Sequence, residues 1–213
     1  MKKARLTVVL LCSTVVIFYW LYRDKSLAFF YQKACNMNYG AGCYELGRLY
    51  SNGKGVKQDD GVARAYWKIA CDKDYAEGCV VFGVLYEQNG DDQKAKTYYE
   101  KACIDLNDGS GCVSLGDLYN FQGVIPADPK KQSEDLCNGR CVRKDYQKAK
   151  TYYEKSCNDL NNLYGCSHLA YLYEEGKGVK QDYQKAKEYY GKACDLGLQQ
   201  DCYLYRKLNE KGY

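Results

Sequence analysis

Cysteine is the side chain in this protein with the most chemistry to offer. Thirteen occur in 213 residues, a density that serves metal ligation, a redox couple or a disulfide framework. Ten of them recur as five pairs: Cys35/Cys43, Cys71/Cys79, Cys103/Cys112, Cys157/Cys166 and Cys194/Cys202. A sixth pair, Cys137/Cys141, is closer set. Structural zinc needs two pairs with two to four residues between ligands. Only Cys137/Cys141 approaches that spacing and no second pair is predicted beside it, so no metal or other cofactor is expected. For Cys137/Cys141 a staple is the expectation, with a free redox dithiol or a metal as the alternatives. His168 is the sole histidine, and its position varies between Glu45, Val81 and Ser114 in the matching segments. No Ser–His–Asp set can be built from spacing around it.

The compartment decides what the cysteines do. Lys2, Lys3 and Arg5 precede an unbroken apolar run over residues 6–22, the pattern of an export signal with its positive end inside. Residues 1–28 are therefore read as a signal peptide or a signal anchor. Cleavage after Ser26-Leu27-Ala28 would start the mature chain at Phe29. Retention would make residues 6–22 a membrane anchor, since that run nearly spans the hydrocarbon layer. Either outcome puts residues 29–213 outside the cytoplasm, periplasmic or secreted, and leaves twelve cysteines once Cys12 is set aside, an even number.

The elements that position the cysteines follow from self-alignment. First cysteines of successive pairs are 36, 32, 54 and 37 residues apart, from Cys35 to Cys194. Two segment types alternate. "DYQKAKTYYEKSC" (145–157) is matched at 59–71, 91–103 and 182–194. "CYELGRLY" (43–50) is matched at 79–86, 112–119 and 166–173. Both read as helices. Asp59, Asp91, Asp145 and Asp182 are predicted N-caps of the first type. Leucine or phenylalanine at 46, 82, 115 and 169, with leucine three residues on, gives the second type one apolar stripe. Gly47, Gly83 and Gly116 lie mid-helix, where glycine costs about 1 kcal/mol relative to alanine, so a neighbouring helix is expected to approach closely. The long step holds an insertion over 122–144, an irregular loop carrying both prolines, Pro126 and Pro129.

The expected fold is all-α: an α-solenoid of tetratricopeptide-like helix-turn-helix repeats over 29–213, stapled by disulfides and preceded by the apolar export helix. Each cysteine pair joins the end of one helix to the start of the next, close enough for a bridge. Each bridge contributes about 2–3 kcal/mol by loop-closure entropy.

The stretches "ELGRLYSNGKGVKQD" and "HLAYLYEEGKGVKQDYQKAKEYYGKAC" resemble Sel-one-like repeats. With its paired cysteines the chain resembles the Helicobacter cysteine-rich protein family. That resemblance implies penicillin binding and slow β-lactamase activity. Ser51-Asn52-Gly53-Lys54 matches the S-x-x-K of serine β-lactamases, yet the equivalent of the serine is Glu174, so the tetrapeptide reads as a helix-ending loop. No catalytic residue is assigned.

The repeat itself supports a binding surface. The positions one, five and eight after the second cysteine vary while the core positions recur. They are Tyr44/Arg48/Ser51, Val80/Val84/Glu87, Val113/Asp117/Asn120 and Ser167/Tyr171/Glu174. At this spacing they form one stripe per helix, expected to line a concave groove for a peptide, a protein or a cell-wall-derived ligand. Tyr44, Arg48, Val80, Val84, Val113, Asp117, Ser167 and Tyr171 are its candidate contacts. A formal charge of +4, mixed in sign along the chain, points to no nucleic-acid partner. Membrane contact is expected only through an uncleaved N-terminus, and the chain is expected to be monomeric.

Overall fold

A computed structural model describes residues 26–122 and 141–213, most of them helical. Most of the 1–28 export segment, with Cys12, lies outside the described residues, as do Cys137 and most of the 122–144 insertion. Among the described residues no helix is long and apolar enough to cross a membrane. The chain forms two compact units, residues up to Gly78 and residues from Cys79 to Tyr213.

In the first unit α1 (26–36) is followed by α2 (Gly40–Asn52) and α3 (Asp60–Asp72), and α4 (Ala76–Gln88) begins there. Its small core holds Cys35, Cys43 and Ala70, with Tyr44, Tyr66 and Tyr75 packed against it. The second unit continues through α5 (Asp92–Glu100), α6 (Gly109–Asp117), α7 (Tyr146–Glu154), α8 (Leu163–Glu175), α9 (Tyr183–Asp195) and α10 (Gln199–Glu210). One core runs through it, from Ala95 and Tyr99 by way of Leu115, Leu118, Tyr153, Leu169 and Leu172 to Tyr190 and Leu208.

The four predicted N-caps are made. Asp59, Asp91, Asp145 and Asp182 each accept from a backbone N–H in the first turn of α3, α5, α7 and α9, at 3.0–3.1 Å. Their own N–H groups return to the carbonyls of Tyr50, Tyr86, Tyr119 and Tyr173 respectively. Connections of very different length thus close on one repeated hydrogen bond, the one between the residues that flank the insertion included. The tyrosines that supply those carbonyls stack on Tyr66, Tyr98, Tyr152 and Tyr189, with ring centroids 5.5–5.9 Å apart and planes within 17°. In the second unit a lysine lies over each stack, Lys94, Lys148 and Lys185 at 5.0–5.2 Å.

The mid-helix glycines have the predicted reason. A Cβ on Gly83 or Gly116 would fall 2.4 Å from the ring of Tyr99 or Tyr153, and one on Gly47 2.7 Å from Trp67. Those two tyrosines, and Tyr190 in the last repeat, reach a carboxylate. Tyr99 donates to Glu87 at 2.7 Å, Tyr153 to Asp117 at 2.6 Å and Tyr190 to Glu174 at 2.7 Å. Burial, then the facing carboxylate, drives all three phenols far above their ordinary range.

Four disulfides close hairpins as expected: Cys35–Cys43, Cys103–Cys112, Cys157–Cys166 and Cys194–Cys202, with Cα atoms 4.5–4.7 Å apart. Cys71, Cys79 and Cys141 are also disulfide-bonded. The separation is eight residues in two of the four and nine in the other two. The extra residue is absorbed by π-helical turns, Lys101–Asp105 and Lys155–Asp159, that end α5 and α7. Each turn between paired cysteines holds one left-handed residue: Asn38, Asp74 or Gly197, three after the first cysteine, but Asn107 or Asn161, four after it, in the nine-residue pairs. The following N–H always returns to the residue before the first cysteine, as in Tyr39 to Ala34 and Asp108 to Ala102.

Candidate functional site

The stripe predicted to bind ligands divides when its side chains are placed. Its eighth position is structural in the second unit. Glu87 and Glu174 accept the tyrosine hydroxyls, and Asn120, 1% exposed, donates to the Tyr153 hydroxyl at 3.3 Å. Val113 is also withdrawn: it is 9% exposed and belongs to the core, because α6 turns that position inward. Val80 and Val84 are half-buried beside the core of the second unit. In the first unit Tyr44 packs on Tyr75 at 5.4 Å and Arg48 is exposed and paired with Glu45 at 3.0 Å.

Asp117, Ser167 and Tyr171 come together with a residue that the stripe did not include. Asp201, in the first turn of α10, is 2% exposed and lines a cleft of about 520 Å³ in the second unit. Phe121, Tyr164, Ser167, His168, Tyr171 and Leu204 also line it. Phe121 and Tyr164 are 51% and 54% exposed, so their rings face solvent at the mouth. Phe121 lies 6.1 Å from the His168 ring and 6.3 Å from that of Tyr171. Lys177 donates to the Tyr171 hydroxyl and sits over its ring at 4.4 Å.

Two polar groups in this cleft are incompletely paired. Ser167 lies beside the Asp201 carboxylate, whose Oδ2 is buried with no partner. Desolvation raises the Asp201 carboxyl above the usual range, against the lowering by Ser167 and by nearby His168. His168 Nδ1 lies 2.9 Å from Asp117 Oδ1, yet off the line of a hydrogen bond, and that oxygen already accepts from Tyr153. The imidazole also meets the Tyr153 ring edge-on at 5.1 Å.

This arrangement suits recognition better than bond cleavage. Ser167 and His168 are consecutive on α8 and point to different bearings, so the two do not form a nucleophile and base. The Ser51–Lys54 tetrapeptide terminates α2: Gly53 is its left-handed cap and the Lys54 N–H returns to Leu49. A β-lactamase serine stands at a helix start instead. All eleven described cysteines are in disulfides, and none is a thiol nucleophile. Among the described residues no group of three acidic, histidine or cysteine side chains is arranged to hold a metal ion.

Sequence reasoning missed Asp201, although a signal was present. The residue before the second cysteine is Gly42, Gly78, Gly111 and Gly165 in four pairs and Asp201 in the fifth. A Cβ on those glycines would lie 2.4–2.7 Å from a side-chain atom of Ala34, Ala70, Ala102 or Ser156, so the change to aspartate marks a hairpin with different surroundings.

The Sel1 repeat model matches residues 20–39, 40–75, 136–159 and 163–198, and a tetratricopeptide repeat model matches 76–103. Among curated proteins, cytochrome c oxidase assembly factor 7 of Xenopus tropicalis is 31% identical over 156 residues. The alignment takes in 68% of this chain and 59% of that protein, so the chain spans little more than half of the relative's length. Among solved structures, c5321, a protective antigen of uropathogenic Escherichia coli with an SLR fold, superposes with a TM-score of 0.66. It is 22% identical, with 89% of this chain and 38% of that chain covered. That likeness places the chain among all-helical repeat solenoids. Helicobacter pylori cysteine rich protein B is 34% identical, with 70% of this chain and 96% of that chain covered and a TM-score of 0.49.

Proposed function

Because the chain belongs to the Sel1 repeat family and repeats its frame contacts while varying the face between them, we propose that it is a non-catalytic scaffold. It would act outside the cytoplasm and hold a peptide or protein segment in the groove along α4, α6 and α8. The observation that carries this reading is the cleft itself. Half-exposed Phe121 and Tyr164 and half-buried Tyr171 gather around it, an aromatic mouth of the kind that anchors polypeptide partners. Repeat arrays use such faces for extended ligands, and the disulfides that close the α5–α6, α7–α8 and α9–α10 hairpins favour an oxidising compartment.

The test pans the oxidised protein against a random dodecapeptide display library. Enriched peptides are expected to lose binding to the double variant Val84→Glu, Tyr171→Glu, with far-ultraviolet circular dichroism unchanged. Incubation with a chromogenic cephalosporin is expected to give no turnover above the buffer rate. Peptides that bind the double variant equally well would remove the groove from the proposal, and turnover would replace the scaffold with an enzyme.

A further inference from the structure

We propose that the cleft at α8 and α10 is a subsite for one lysine or arginine side chain of the bound polypeptide, received by the Asp201 carboxylate between aromatic walls. This rests on the scaffold reading and adds the chemistry of its anchor.

Three independent features converge on a cation. Asp201 is 2% exposed and its Oδ2 has no partner in a cleft large enough for a long side chain. A buried carboxylate oxygen left unpaired carries a penalty that a charged donor removes most effectively. Second, the groups around it carry the right sign. Asp117 of α6 stands behind the cleft wall, its Oδ1 2.9 Å from Nδ1 of the lining residue His168. Glu174 is occupied by Tyr190, and the Lys177 ammonium is held on Tyr171. Third, Phe121, Tyr164 and Tyr171 present ring surface at the mouth, where a guanidinium or ammonium gains cation–π attraction and its aliphatic stem gains apolar cover from Leu204. The position is also singular in the chain: the other four cysteine pairs carry glycine where the last carries Asp201. Burial keeps the carboxyl above its ordinary range, and an entering cation would reverse that shift.

The probes are Nα-acetyl-arginine methylamide and Nα-acetyl-lysine methylamide, with the citrulline analogue as a neutral isostere of arginine. Each is titrated into the oxidised full chain and followed by amide NMR. The cationic probes are expected to shift residues 164, 167–171 and 201–204 at millimolar concentration, and citrulline to bind at least tenfold more weakly. Asp201→Asn should weaken the cationic probes at least tenfold without moving distant amides. Phe121→Ala, at an exposed ring that the fold does not need, should weaken them several-fold. Equal binding of citrulline and arginine, or unchanged binding by Asp201→Asn, would overturn the subsite. Peptides selected on the groove that need no basic residue would overturn it too while leaving the scaffold standing, whereas a groove that selects no peptide removes the scaffold first.

Discussion

The hairpin α7–α8 and the hairpin α9–α10 are built on the same plan and differ in two residues' worth of detail. Their cysteines close with Cα atoms 4.6 and 4.7 Å apart, yet the first spans nine residues and the second eight. The first carries Gly165 before its second cysteine and the second carries Asp201. The extra residue of the first is taken up in the π-helical turn Lys155–Asp159 and leaves the bridge unaltered. The aspartate of the second opens a polar cleft beside Ser167 and His168. A lengthened turn is absorbed locally, whereas one side chain at the helix contact changes which groups line the surface.

The most severe way to break this comparison is to write the second hairpin into the first. Gly165→Asp would place a Cβ 2.4 Å from Ser156 Oγ and 3.0 Å from the Cys157 backbone nitrogen, between helices held by a disulfide. Overpacking and an unpaired buried carboxylate together should cost about 3 kcal/mol or more. Thermal unfolding should show it as a fall of roughly 6–12 °C. A variant that melts within about 2 °C of the parent would mean that the glycine contact is not what separates the two hairpins.

The opposite edit sharpens the other half of the comparison. Deleting exposed Asn158, directly after Cys157, would convert the nine-residue pair to the eight-residue pattern and return α7 to an ordinary ending. The deletion should change stability by less than about 1 kcal/mol, or at most about 3 °C in melting temperature. Titration of thiols after denaturation should still find Cys157 and Cys166 bridged. Their appearance as free thiols would show that the π turn is needed to bring the sulfurs together.

How much of this was legible depends on which physical signal each residue carries. The Asp N-caps and the leucine stripe speak through local preference and helical period, and both were read correctly with the hairpin bridges. The glycines at 83 and 116 announced a close neighbour by their cost alone. What they admit, a buried tyrosine joined to a carboxylate, was not readable, because Glu87 and Glu174 look like solvent residues until the opposing helix is placed. Val113 was misplaced for the same reason: helical spacing fixes a bearing to within a few tens of degrees, and α6 turns it into the core. The π turns differ from α-helix by a single residue in spacing, which only alignment of all five pairs makes visible. Asp201 was overlooked because the variable stripe was counted from the second cysteine of each pair onward, and this residue stands one position before the last of them.

Asp201 also supplies the smallest of these effects, one that carries a sign. Its carboxyl is raised in the folded state by desolvation, with Ser167 and His168 opposing. A carboxyl with a raised folded value contributes stability that is present below the unfolded value, about 3.9 for aspartate, and lost as pH rises through the folded one. At pH 7 the ionised group therefore opposes folding. Asp201→Asn, which keeps the shape and removes the charge, should melt about 1–2 °C higher than the parent at pH 7. That gap should close as pH falls and vanish below about pH 4. Gly165 offers no such group, so Asn substituted in the α7–α8 hairpin would be destabilising at every pH. Melting curves of the parent and Asp201→Asn between pH 3.5 and 8 check the point. A parent that is more stable than the variant at pH 7 would mean that the folded protein already pairs this carboxylate well, and the contrast between the two hairpins would then be one of shape without charge.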